Sequence, residues 1–462
     1  MSNGDERKMS DAEALMWRLE HDPYLSSTFA TVSILDRAPD FDRLRARMER
    51  ALAFVPRLGW RVQPAPVNLS APMWVDDPEF DIDYHVRRIA LPKPGSVRQL
   101  YDLASMLAVD PFERTRPLWQ FFVVEGLRGG KAALVQKMHH TITDGEGGVQ
   151  MSLQFLDFDR DAPDPPPPDA ATLAIAADVA APPTPTTAET VRDLFAGSLR
   201  LPLGVARQVR ALLADPLSIP TASAAAVDTV RGVVSQLSDV ERARSPLWTR
   251  RSLRRRLEVA RAPFGETKEA AKRLGGTLNT AFLTAAADAA ARYHTQLGAP
   301  VDELRASMAV STRTDTSGAN AFSIARLMVP AGPMPIAERF QRIQEAANEA
   351  RQQRAGASLE TLAAVASTLP TSLVTRLARQ QSQTIDFATS NVKGSPVAVY
   401  ISGAQLLENY PIGPLAGVAF NVTLLSYLGS LDVGINVDTA AVAEPERLAR
   451  LLQRALRNLA AA

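Results

Sequence analysis

The 462-residue chain is 46% hydrophobic and 22% charged with a formal net charge of +1, a balance that gives no electrostatic reason to expect a nucleic-acid partner. It contains no cysteine, which removes thiol nucleophiles, disulfides, zinc fingers and iron–sulfur ligation, and makes a cytoplasmic location the expectation. The length suits two or three domains, each with ample core.

Met1 to Met9 are polar and charged, with no apolar stretch behind a basic start, so no secretory signal is expected. The pattern then predicts an amphipathic helix through Leu19 and a helix across Phe41 to Phe54. A hairpin follows, with arms Phe121 to Val124 and Ala132 to Met138 turning at Arg128-Gly129-Gly130. Its second arm runs straight into His139-His140-Thr141-Ile142-Thr143-Asp144-Gly145. Two of the five histidines are adjacent here, an acid follows the second, and Gly145, Gly147 and Gly148 crowd the turn. Val149 to Phe155 then reads as a helix, whose N-terminus would favour a neutral imidazole nearby.

His140 is the candidate general base, an imidazole whose ordinary pKa near neutrality lets it take a proton from a nucleophile. Asp144 either fixes the ring or anchors the turn by pairing with a distant arginine, and the anchoring role is favoured. The competing reading is a structural histidine pair at a strand end. A metal site is not expected: adjacent histidines on a strand point to opposite faces, and His21, His85 and His294 form no ligand spacing. His85 and His294 are expected to face solvent or cap local structure. No Gly-x-Ser-x-Gly elbow and no phosphate-cradling glycine loop with a following Lys-Ser/Thr occurs, which leaves direct transfer assisted by one base.

Pro163 to Thr187 carries Pro165 to Pro168 and Pro182-Pro183 and reads as an extended linker. It divides the chain into an N-terminal domain, 1–160, a Pro-rich linker and helical connection, 161–244, and a C-terminal domain, 245–462. Within the connection, Glu189 to Ala214 sets apolar residues beside arginines. The segment fits either a membrane or lipid-droplet surface or a helical connection packed on protein, and the breaks at Pro202 and Gly204 favour the latter. The run Arg250 to Arg256 reads as a solvated strand edge more than as a phosphate contact. Helices are expected near Thr277 to Leu297 and Ile336 to Arg354, and a strand pair at Asn421 to Ser426 and Leu431 to Val437. The uncharged run Asn409 to Leu431 is broken by Pro411, Gly413, Pro414 and Gly417 and is not expected to span a membrane.

Along nearly its whole length the chain resembles the bacterial wax ester synthase/acyl-CoA:diacylglycerol acyltransferase family, within the superfamily of CoA-dependent acyltransferases and condensation domains. The likeness is carried by Met9 to Trp17, Phe80 to Val86, Arg116-Pro117-Leu118-Trp119, the histidine string, Val310-Ser311-Thr312-Arg313 with Asn320, and Ser390-Asn391-Val392. It departs from the family pattern at Lys393-Gly394-Ser395, where Pro-Gly-Pro is usual, and at Leu278-Asn279-Thr280, where Val-Asn-Asp is usual.

The resemblance implies a mixed α/β (α+β) protein of two chloramphenicol-acetyltransferase-like domains meeting at a tunnel that holds His140. It implies an acyl-CoA-dependent O-acyltransferase in which His140 deprotonates a diacylglycerol or long-chain alcohol, with no cofactor beyond the acyl-CoA substrate. His139, Ser390 and Asn391 are the candidate oxyanion donors, Gly145 and Asn279 support the site, and Arg313 is the partner expected for Asp144, with a surface arginine as the alternative. Pro117, Leu118 and Trp119 either line an acyl channel or belong to the core. The partners implied are the acyl-CoA and the lipid acceptor, with peripheral contact at a membrane or lipid droplet. Two alternatives stand beside this reading: acylation of a natural-product alcohol or amine from a carrier-protein thioester, and a non-catalytic lipid-binding protein.

Overall fold

The computed structural model describes residues 7–64, 71–143, 148, 151–169, 243–311, 322–352, 363, 366 and 371–462. The chain opens on helix α1 (Asp11–Leu19), started by a reciprocal cap in which Ser10 Oγ accepts from Glu13 N–H and the Glu13 carboxylate accepts from Ser10 N–H. Strand β1 (Thr28–Leu35) leads to α2 (Phe41–Phe54), capped by Asp40, and a small hairpin of β2 (Trp60–Gln63) and β3 (Met73–Asp76). The single turn α3 (Ile82–His85), β4 (Val86–Ala90) and α4 (Val97–Val109) precede the hairpin of β5 (Trp119–Glu125) and β6 (Ala132–His139). Helix α2 and the hairpin lie where the hydrophobic period and the glycines at 129 and 130 place them.

Beyond β7 (Leu156–Asp157) the described chain resumes and runs through β8 (Arg255–Pro263), α5 (Phe264–Arg273) and α6 (Leu278–Gln296). Next come β9 (Glu303–Ser311), β10 (Phe322–Pro330), α7 (Ile336–Gln352), α8 (Thr371–Ser382) and β11 (Phe387–Val392). The remainder is β12 (Tyr400–Ile401), β13 (Ala404–Ile412), β14 (Phe420–Tyr427), β15 (Ser430–Asp438) and α9 (Pro445–Ala460). Helix α6 is buried on nearly every side, and its alanines at 281, 285–287 and 289–291 let it lie close against its neighbours.

Two large sheets result. The first has the order β4-β5-β6-β1-β13-β12-β7 and the second β10-β9-β11-β14-β15-β8. Strands β12 and β13 come from the 245–462 segment yet complete the first sheet, with β13 antiparallel to β1 from Ala30 opposite Ile412 onward. The boundary at 244 therefore separates stretches of chain, whereas the sheets divide the residues differently. In the second sheet β11 runs parallel to both of its neighbours, β9 and β14.

The sheets touch where β13 lies against β15. A Cβ on Gly434 would stand 1.7 Å from Pro411 O, so only glycine admits this approach. Asn409 N–H donates to Asp432 Oδ2 (2.8 Å) and Asn436 Nδ2 to Gly413 O (2.9 Å) across the same seam. Of the Asn409 to Leu431 run, Asn409 to Ile412 lies in β13 and Phe420 to Tyr427 in β14, and no described helix is long and apolar enough to cross a membrane. The basic run is tied down more than a solvated edge would be: Arg251 Nε donates to Gly417 O (2.6 Å), Arg255 Nη1 to Ser252 O (2.5 Å), and Arg256 pairs with Glu258 (2.6 Å).

Candidate active site

Strand β6 ends at His139, opposite Thr28 of β1, and the two histidines part company there. His139 N–H donates to Leu118 O (3.0 Å) and His140 N–H to Ser27 O (3.2 Å), so the backbone of each is held by a different neighbouring segment. A turn closes with Ile142 N–H on His139 O (2.9 Å). As the strand alternation requires, the side chains go opposite ways.

The His139 ring is completely buried. Its Nδ1 accepts from Thr141 N–H (3.2 Å) beside Thr141 Oγ1 (2.8 Å), which leaves the proton on Nε2, 3.0 Å from Glu20 Oε2. Both ring nitrogens are thus committed inside the protein, and the geometry leaves His139 no donor for a substrate oxyanion. Glu20 also accepts from Ser26 Oγ (2.6 Å) and Ser27 N–H (2.8 Å). Burial works to raise its carboxyl, but the hydrogen bond with His139 and the attraction to that ring, with the bonds from Ser26 and Ser27, outweigh it and hold the group at about 2. Glu20 consequently ties the His139 side chain to the same Ser27 whose carbonyl receives His140 N–H.

His140 is partly exposed, with its ring 4.7 Å, centroid to centroid, from that of Phe29. It is the more exposed member of the pair. Beyond Thr143, Asp144 and Gly145 lie outside the described residues, as does Arg313. Gly148 is helical and a Cβ there would make only an ordinary 3.7 Å contact, so its lack of a side chain is not required for space. The expected helix over Val149 to Phe155 is described as helical at Met151 and Ser152 and gives way to a turn over 153–155 before β7.

From the second sheet, β11 brings Ser390, half-buried, and Asn391, exposed, to its C-terminal end. Asn391 Nδ2 donates to Oδ1 of Asn279 (2.5 Å), one residue into α6 behind the cap made by Thr277. Two of the candidate residues, 112 apart in sequence, are therefore in contact. The two halves of the candidate site also share packing: Met138, Ile142, Met151 and Phe155 form one hydrophobic cluster with Leu425 and Tyr427, and Val392 packs against it.

Pro117, Leu118 and Trp119 are core residues. Trp119 is fully buried, its Nε1 donates to Leu58 O (2.8 Å), and Leu118 O is the acceptor of His139 N–H, so this string builds the wall behind the histidines. Two other histidines depart from expectation. His85 is fully buried, stacked on Trp119 (4.5 Å) and bonded through Nδ1 to Trp119 O (2.7 Å), and burial lowers it to about 4. His294 is also fully buried, with Nε2 on Ser245 Oγ (2.7 Å) and Nδ1 on Ala290 O (2.8 Å). Their aromatic neighbours, Trp119 and Trp248, come from segments distant in sequence, which is why a local charged pattern misleads. Among the described residues no group of His, Asp and Glu side chains is arranged to hold a metal ion.

The chain matches the family model for the wax ester synthase/diacylglycerol acyltransferase catalytic domain over residues 9–282 and that for the corresponding C-terminal domain over 318–460. It is 34% identical to a putative diacylglycerol O-acyltransferase of Mycobacterium tuberculosis, over 98% of this chain and 92% of the relative. A second relative from that organism, a probable diacylglycerol O-acyltransferase, is 28% identical over 95% of this chain and 92% of its own length. Among solved structures, the wax ester synthase/diacylglycerol acyltransferase of Marinobacter aquaeolei superposes with a TM-score of 0.64 at 20% identity, covering 96% of this chain and 97% of that one. The first condensation domain of the CDA synthetase gives 0.54 at 15% identity, covering 97% and 96%. These two likenesses establish the two-domain fold.

Proposed function

The chain belongs to the wax ester synthase/diacylglycerol acyltransferase family, and from that premise we propose that it moves a fatty acyl group from acyl-CoA to the hydroxyl of a diacylglycerol or a long-chain alcohol. The observation that carries the assignment of roles is the division of labour between adjacent residues. His139 is buried with both nitrogens committed, while His140 is partly exposed at the strand end.

In this reading His140 takes the proton of the acceptor hydroxyl as the oxygen attacks the thioester carbonyl. The C–O bond forms, the carbonyl oxygen carries the negative charge, and the tetrahedral centre collapses with cleavage of the C–S bond. The CoA thiolate leaves and takes back the proton from His140, so the enzyme ends as it began. No acyl-enzyme is required. Asn391, with Asn279 orienting its amide, and Ser390 are the donors we assign to the carbonyl oxygen. The anchoring role we assign to Asp144, with Arg313 as its partner, and the supporting role of Gly145 rest on the family resemblance, since all three lie outside the described residues. A tunnel between the domains would bring donor and acceptor to His140, and insoluble acceptors place the work at a lipid surface.

Incubation of the purified protein with palmitoyl-CoA and either dioleoylglycerol or hexadecanol tests the reaction. Free CoA and labelled ester should appear in equal amounts. CoA release without ester would reduce the reading to thioester hydrolysis, and turnover only with a carrier-protein thioester would move the assignment to that donor.

A further inference from the structure

Helix α9 (Pro445–Ala460) buries Leu448, Leu451, Leu452, Leu456 and Leu459 and turns an arginine-bearing face outward. Arg450, Arg454 and Arg457 are exposed, and among the described residues none has a carboxylate within 4.0 Å. Of the nearby acids, Glu446 pairs with Arg256, and the N-cap residue Glu444 pairs with Arg447 (3.0 Å), which leaves Arg450, Arg454 and Arg457 as the uncompensated charges of this face. Arg447, Arg450 and Arg454 line, with Gln296 at the end of α6, a cleft of about 510 Å³ that has no acidic residue in its wall.

We propose that this face of α9 docks on an anionic phospholipid surface. Guanidinium groups bind phosphate in a two-pronged geometry, and each basic side chain near an anionic membrane contributes attraction that salt screens. From Arg450 to Arg457 the helix advances about 10 Å, which suits more than one headgroup at once. The choice of lipid as occupant rests on the proposed use of insoluble acceptors, whereas the uncompensated charge stands independently of it. Docking would hold the enzyme at the phase in which its acceptor is dissolved.

The test is co-sedimentation of the full chain with vesicles of phosphatidylcholine alone and of phosphatidylcholine mixed with phosphatidylglycerol, without turnover. Binding should require phosphatidylglycerol, weaken in high salt, and fall at least about tenfold in the Arg450→Gln/Arg454→Gln double variant. Arg37→Glu, a charge change at an exposed arginine in the first half, should bind like wild type. Equal binding to both vesicle types, or an unchanged double variant, would overturn the proposal. So would tighter retention on an RNA oligonucleotide than on anionic vesicles. Ester formation from detergent-dispersed acceptor is measured on the same samples. Vesicle binding without ester defeats the catalytic reading and supports docking, and ester without vesicle binding does the reverse.

Discussion

Glu20 and His139, 119 residues apart, are joined by a 3.0 Å hydrogen bond from Nε2 to Oε2 at the point where β6 ends. The bond fixes which nitrogen of His139 carries the proton, and through Ser27 it ties that ring to the backbone of His140. A buried acid with several donors thus builds the frame in which the neighbouring histidine stands.

Replacing Glu20 with alanine would strip partners from His139, Ser26 and Ser27 together. An expected loss of about 2–4 kcal/mol in urea unfolding follows from leaving buried donors unsatisfied. Glu20→Gln keeps an acceptor for Nε2–H and should recover part of it.

The same carboxyl sets an acid limit. Its folded-state value, about 2, lies below the ordinary 4.5, so its contribution is complete above about pH 4.5 and is lost as pH falls towards 2. Stability against pH should show this decline in the wild type and a shallower one in Glu20→Gln, measured by denaturant midpoints.

At the seam between the sheets, Gly434→Ala would drive a methyl into Pro411 O, a clash that backbone movement alone can relieve. A cost of about 3 kcal/mol or more is expected. Gly265→Ala, in a helix with open space around the new methyl, should stabilise slightly or do nothing, and thermal unfolding of the pair separates the two cases.

Asn391 is exposed, so Asn391→Ala should cost less than about 1 kcal/mol in stability. If its amide serves the carbonyl oxygen, kcat should fall by about 10²-fold with KM little changed. Asn279→Ala, which frees the amide without removing it, should give a smaller loss in kcat.

Much of this was legible in the sequence because it is local. The helix Phe41–Phe54 announces itself by its period, and the β5–β6 hairpin by two nearly continuous apolar arms around Gly129 and Gly130. What was hidden depends on distant pairing. Nothing near Ala404–Ile412 says that it leaves its own half to pair with β1, and β7 and β12 are two residues each, too short for any period. The role of Glu20 is hidden for the same reason: an acid at a helix end usually faces water, and only the register of β1 against β6 brings it to His139. The burial of His85 and His294 is not legible locally, because the aromatic walls around them are assembled by the fold. Asn279 and Asn391 lie in separate motifs, and their contact emerges only when α6 packs beside β11.

The most direct measurement compares single-turnover ester formation by wild type and His140→Ala, using palmitoyl-CoA with each acceptor, on protein whose folding is verified by far-UV circular dichroism and denaturant midpoint. A loss of about 10²–10⁴-fold in the rate with the fold intact is expected, since the ring's aromatic contact is with Phe29 at the edge of the core. A folded His140→Ala enzyme that forms ester at the wild-type rate would contradict the role of His140 as the base.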